Sequence, residues 1–447
     1  MQPISNPAAA TLWAGAATAD LTPQDNVFLF GYPHVPRIST GIHDRLESVA
    51  LFMSHHDEKV LFIANDLIFV GKQLASEVRR RISLQTGVPM GAIALTATHT
   101  HSGPVMADCV SNNADPVVPK ADPIYLKRVA DSMVEAGCAA VRSAMPAEAG
   151  IAVARAEGVG TNRHDPAGPA DPEVPVLVVR SMADHLPLAC MVAYAMHPTV
   201  LHEDSTLISG DFPHFTRQYL RAQGVVPKNC PVLYHNGASG NQSPRHVTRE
   251  NTFAEARRLG KLLGMSIAGV IPGIVFTQAL TLRSRSISVA LQVRTLPPVA
   301  EAEARAHNAR TQFEALRAAQ APRTAVRTAE CDWFGSEETV ALARAAADGR
   351  LEEAVRGCMP AEIQLIELGS WKFVFWPGEF FVEYAIEVKA GSPRTFVITL
   401  ANGELQGYVA TPEAAACGTY EATNAVFSPD NGRRMVEATL ALLATEE

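Results

Sequence analysis

The stretch Ala92–Pro104, AIALTATHTHSGP, sets an apolar, strand-like run against two histidines spaced two apart, then a Ser-Gly-Pro stop. Side chains alternate faces along a strand, so an extended segment points His99 and His101 the same way, with Ile93, Leu95 and Ala97 behind them. Outward from this stretch, strand and helix signals alternate. VALFMSHHDEKVLFIAND (49–66) reads as two strands around a polar turn, and KQLASEVRRRISLQTG (72–87) as a helix closed by Gly87. Residues 122–144 form an amphipathic pattern with a proline in the first turn. VPVLVVRS and PLACMVAYAMH are strands, a helix follows Asp211 over about 213–223, CPVLYHNG is a strand, and FAEARRLGKLLGMSIAGVI a helix. Residues 299–354 are Ala/Glu/Arg-rich and helical in pattern, with breaks at Pro298, Pro322 and Gly335; beyond them AEIQLIELGSWKFVFWPGEFF and TFVITLANG are again strands. The alternation predicts α/β architecture: a single large mixed domain over 1–447 with a helical excursion at 299–354 and no C-terminal β-sandwich domain.

Composition narrows the partners. The chain has 447 residues, 47% hydrophobic and 19% charged, with a net charge of −8, which suits a large globular core. No basic block is present, so nucleic acid is not an expected partner. No apolar run reaches the roughly 18 residues of a membrane span. The N-terminal MQPISNPAAATLWAGAATADLTP lacks the basic and apolar regions of a secretory leader. The seven cysteines include no CxxC pair, as in a reducing compartment. A cytoplasmic protein without stable membrane insertion is the expectation, its oligomeric state open.

An isolated HxH is ambiguous: two satisfied polar residues at a strand end, or two ligands that still need a third. The continuation Ser102-Gly103-Pro104 does not follow the HxHxDH of metallo-β-lactamase-type sites. An amidohydrolase barrel carries its HxH on its first strand, whereas helices and strands precede it here. Other polar residues abut apolar strands in the same way: His197 in VAYAMHPTVLH, Ser243 in VLYHNGASGNQSPR, Glu379 in FVFWPGEFF, and Tyr408 and Tyr420 in ANGELQGYVATPE and GTYEA. Each alone reads as a turn or rim; their recurrence at strand ends points to one site. A carboxylate amid aromatics, as at Glu379, must be solvated, paired or metal-bound.

TATHTHSGP, MHPT, SGDFP, NGASGNQSP, WPGE and YVATPE…YEA occur in the order of the motifs of the neutral/alkaline ceramidase family, which the chain resembles over nearly its whole length. The resemblance implies a zinc ion (Zn2+) held by His99, His197, Glu379 and Tyr408. It leaves His101, Arg163, Ser243 and Tyr420 as substrate-facing or catalytic groups, and it does not separate His99 from His101 as the ligand. It implies hydrolysis of an amide C–N bond in a ceramide-like or smaller N-acyl substrate by a metal-activated water, with the metal, Tyr420 and Arg163 on the oxyanion and His101 either orienting the substrate or passing a proton to the amine. Asp211 and Asp66 are expected to hold the site or cap helices. The serine loop departs from the family pattern at Asn241 and Arg245; Arg245 adds a cation suited to an anionic substrate group or to a neighbouring carboxylate. Alternative readings are a zinc hydrolase of a soluble ester, lactone or cyclic amide, a metal-free serine hydrolase using Ser243, and a binding protein with a decayed site. GNQSP lacks the GxSxG elbow, and every proposed ligand is present.

Overall fold

The computed structural model describes residues 11–113 and 115–445; much of the stretch read for a leader lies at 1–10, outside the described residues. Eight strands form the larger sheet: β1 (Trp13–Asp20), β2 (Glu47–His55), β3 (Glu58–Asn65), β4 (Ile93–Ala97), β5 (Met145–Arg155), β6 (Glu173–Ser181), β7 (Pro187–Tyr194) and β8 (Val232–Asn236). Their spatial order is β8-β7-β6-β5-β1-β2-β3-β4. The central pairs are antiparallel, and the two outermost pairs, β7–β8 and β3–β4, are parallel. A smaller sheet runs β9 (Leu282–Val289), β10 (Ala361–Leu368), β11 (Trp371–Phe375) and β12 (Thr395–Ile398), again ending in a parallel pair. The described helices are α1 (Lys72–Thr86), α2 (Pro123–Arg142), α3 (Asp211–Ala222), α4 (Phe253–Val270), α5 (Val299–Ala318), α6 (Arg323–Ala347), α7 (Arg350–Cys358), α8 (Val382–Gly391), α9 (Pro412–Cys417), α10 (Tyr420–Asn424) and α11 (Asp430–Ala444).

The period of two explains the layering. In β2 and β3, Ala50, Phe52, Leu61 and Ile63 face the helices α1 and α2. Their neighbours Val49, Leu51, Met53, Val60 and Phe62 pack with Ile366, Phe373, Phe375 and Ile398 of the smaller sheet. Strands buried on both faces read as unbroken apolar runs, as these do. β6 and β7 repeat the arrangement with α3 and α4, and α8 and α11 cover the far side of the smaller sheet. The result is an α/β/β/α sandwich of mixed class, as the alternation predicts.

Two local expectations are corrected. Gly335 does not break a helix: α6 runs through it, because a Cβ there would lie 2.2 Å from Thr423 Oγ1, so the missing side chain admits α10. The strand does not extend to the histidines either. β4 ends at Ala97, and His99 is left-handed at φ 72°. Among the described residues no helix is long and apolar enough to cross a membrane. All seven cysteines are free.

Candidate functional site

The ends of β4 and β7 and the turn after β11 meet at one buried point. His99 follows β4, His197 follows β7, and Glu379 follows the Pro377-Gly378 turn. His99 Nε2 lies 3.1 Å from His197 Nε2 and 3.1 Å from Glu379 Oε2. His197 Nε2 is 3.2 Å from the same carboxylate oxygen, and His101 Nε2 is 3.3 Å from His99 Nε2. The alternation argument thus reaches the right convergence by the wrong route. The left-handed backbone at His99, sparsely populated for a residue with a Cβ, rotates its ring to meet His101 edge-on at 83°.

The outer nitrogens decide what the inner ones can do. His99 Nδ1 is 2.8 Å from the Ile68 carbonyl and His197 Nδ1 is 2.6 Å from the Ser239 carbonyl. A carbonyl only accepts, so each Nδ1 carries a hydrogen, and the singly protonated form of each ring presents its lone pair at Nε2. Burial pushes His197 down to about 4 against the opposing Glu379 contact, and burial with its histidine neighbours holds His101 well below its ordinary value. For Glu379, burial works against ionisation, but His99 and His197 prevail and keep it well below the usual carboxylate range. A buried charge and converging lone pairs are costly without a cation. Donor separations of 3.1 to 3.3 Å match a tetrahedral set with metal–ligand bonds of about 2.0–2.1 Å. The three histidines form a group that could hold a metal ion, and the donor set fits one.

Tyr408 pairs with Glu379 across a short parallel ladder, and its ring stacks 6.3 Å from His197. Burial, reinforced by Glu379 and opposed by Arg163, holds its phenol well above the ordinary value. The Arg163 guanidinium lies 5.3 Å from the centre of the Tyr408 ring and pairs with Glu421 at 2.5 Å, while its buried Nη2 has no hydrogen-bond partner. Tyr420 starts α10, with its ring 6.0 Å from Tyr408. Ser243 lies farther along the same cavity of about 190 Å3, where its Oγ accepts the Arg245 N–H at 3.3 Å. Among the described residues no histidine hydrogen-bonds to that hydroxyl, an arrangement short of the nucleophile–base pair that serine catalysis uses. Asp211 takes the N–H groups of Val200 and Leu201 at 3.0 and 2.9 Å, fixing the loop after His197. Asp66 pairs with Arg217 at 2.5 Å beneath the sheet.

Four residues of this region carry no clear sequence signal. Glu421 binds both Arg163 and His164, yet in the sequence it is only the neighbour of Tyr420. Glu338 reaches a second cavity of about 60 Å3, beside His99 and Glu379, from the Ala/Glu/Arg-rich segment. Arg37 donates to the His101 carbonyl at 2.8 Å. Gly31, at φ 122°, leaves room for the His101 ring, since a Cβ there would come 2.4 Å from Nδ1.

Fold and site together define a mixed α/β sandwich with a buried imidazole–carboxylate centre competent to hold a metal ion at the strand ends. Residues 13–216 match the model of the neutral/alkaline non-lysosomal ceramidase family, N-terminal region. A crystal structure of the neutral ceramidase from Pseudomonas aeruginosa superposes with a TM-score of 0.73 at 18% identity, covering 96% of this chain and 74% of that one. A structure of a ceramidase complexed with C2 gives 0.72 at 17% identity, with the same coverages. These likenesses extend the shared fold well beyond residue 216.

Proposed function

We propose that the protein is a zinc-dependent hydrolase cleaving the amide C–N bond of an N-acyl substrate, a ceramide or a smaller relative. One observation carries this reading: the buried Glu379 carboxylate and the Nε2 atoms of His99 and His197 converge to within 3.1–3.2 Å of one another, with each outer Nδ1 held by a backbone carbonyl. The family match of residues 13–216 supports it. His99, His197, Glu379 and Tyr408 would hold the ion, with His101 beside them; imidazole and carboxylate donors suit zinc. When bound, zinc supplies Lewis acidity, polarising a carbonyl and lowering the pKa of water toward about 7.

The remaining chemistry belongs to the chain. Arg163 and Tyr420, which line the cavity, stabilise negative charge on the substrate oxygen. His101 lines the same cavity with its Nδ1 unpartnered, and it moves a proton to the leaving nitrogen. Ser243, which lines the same cavity, positions substrate.

Elemental analysis of purified protein, together with cleavage of short and long fluorogenic N-acyl substrates with and without chelator, tests this. The expected result is about one zinc per chain and chelator-sensitive amide cleavage. His99→Ala and Glu379→Ala should each lose the metal and the activity while keeping a native circular dichroism spectrum. Stoichiometric zinc in both variants overturns the ligand set, and chelator-insensitive cleavage overturns the metal mechanism. Bound zinc with cleavage of esters or lactones only overturns the amide assignment.

A further inference from the structure

We propose that Arg245 binds a carboxylate on the amine side of the substrate, making N-acyl amino acids the preferred class; this rests on the amidase reading above. The cavity that carries His101, Tyr408 and Tyr420 also carries three arginines, Arg163, Arg245 and Arg327. Two of them are already neutralised. Arg327 pairs with Glu203 at 3.1 Å and Glu330 at 2.5 Å, and Arg163 pairs with Glu421 at 2.5 Å. Arg245 differs. Among the described residues no carboxylate lies within ion-pair distance of it, and its guanidinium has one hydrogen bond, Nη2 to Cys331 Sγ at 3.7 Å. A thiol sulfur is a weak acceptor, so the planar fork is left for a ligand.

Asp332 on the same wall is the competing anion. Burial and the nearby Glu421 raise its carboxyl above the ordinary value, with Arg245 opposing, but it makes no ion pair with the guanidinium. The backbone holds Arg245 in place: its N–H donates to Ser243 Oγ on the turn that follows Ser243 and Pro244. A substrate with its scissile carbonyl beside His101 and Tyr408 shares its cavity with that guanidinium. The fork matches a carboxylate by charge and by bidentate geometry.

The test is isothermal titration of the metal-loaded protein with N-acetylglycine and with N-acetylglycinamide, which differ only in the charge of the distal group. We expect the carboxylate to bind at least about tenfold more tightly, a gap of about 1.4 kcal/mol. Arg245→Met and Arg245→Gln should bring the ratio of the two affinities to about one, and Arg245→Lys should keep part of it. Melting temperature and zinc content measured on each variant identify any that misfolds. Equal binding of the two probes by the unmodified protein, no binding of either, or a preference that survives both neutral variants overturns the proposal. Release of free glycine is followed separately. A carboxylate preference without glycine release leaves the anion site standing and overturns the amidase reading; release of glycine and glycinamide at equal rates with equal affinities does the reverse.

Discussion

At the scale of single residues, backbone carbonyls orient the imidazoles of the site. His99 and His197 give their Nδ1 hydrogens to backbone carbonyls, which turns both Nε2 atoms toward the Glu379 carboxylate. The same logic of buried charge governs the rim. Burial acts to raise the Glu421 carboxyl, but Arg163 and His164 outweigh it and hold it at about 2, below its ordinary 4.5. A depressed carboxylate stabilises the fold fully above the unfolded value and loses that contribution as pH falls from about 4.5 toward 2. The shift is worth about 3 kcal/mol. Urea unfolding between pH 7 and pH 3 should show this loss, and Glu421→Gln should remove its share of the slope. The variant should also be less stable at pH 7 by about 3 kcal/mol or more, because it leaves Arg163 buried without its anion.

At the scale of elements, two close approaches set the site. The ladder between Leu29–Phe30 and Gly103–Pro104 brings Gly31 against the His101 ring. Gly31→Ala adds a Cβ 2.4 Å from Nδ1 at a φ of 122°, which L-residues rarely adopt. Its expected effect is a loss of about 100-fold in kcat, the cost of a displacement near 1 Å, with zinc content retained; steady-state kinetics beside elemental analysis check it. The second approach is α6 against α10 at Gly335. Alanine favours an isolated helix by about 1 kcal/mol over glycine, yet Gly335→Ala should destabilise the protein by about 1–3 kcal/mol, as overpacking does. Thermal unfolding would show which effect prevails. The same helix carries Glu338, which burial raises to about 8 against hydrogen bonds from Asn424 and Asn112. An acid raised in the native state loses its contribution as pH climbs from 4.5 to 8. Glu338→Gln should therefore flatten the stability profile in that window, measured by chemical denaturation.

At the scale of the molecule, the donors come from segments far apart in sequence that the two packed sheets bring together. A metal ion bound there ties the end of the larger sheet to the turn leaving the smaller one. A ligand specific to the native state stabilises it by RT ln(1 + [L]/Kd), about 4 kcal/mol at a thousandfold excess over Kd. Chelation should lower the melting temperature by several degrees and re-addition of zinc should restore it, read by differential scanning calorimetry. Unchanged melting would mean that the donors are organised without an ion.

The elements and the mixed α/β class are readable in the chain because apolar periodicity is local: each strand and helix carries its own pattern, and burial on both faces of β2 and β3 shows as an unbroken apolar run. The motifs that resemble the family's are equally local: they mark His99 and His101 without choosing between them, and His197 and Glu379. What escapes a linear reading depends on a partner far along the chain. The strand stops at Ala97 and His99 turns left-handed because the carbonyls of Leu67 and Ile68 take its N–H and Nδ1. Gly335 is a crossing point only because Thr423 packs on it. Glu421 and Glu338 become buried ionisable groups only when α10 and α6 close over the site. Arg245 stands without a carboxylate because Glu203, Glu330 and Glu421 are taken by its neighbours. Which charge meets which is a property of packing, since the energy of a buried ion depends on everything within a few ångströms of it and hardly at all on its neighbours in sequence.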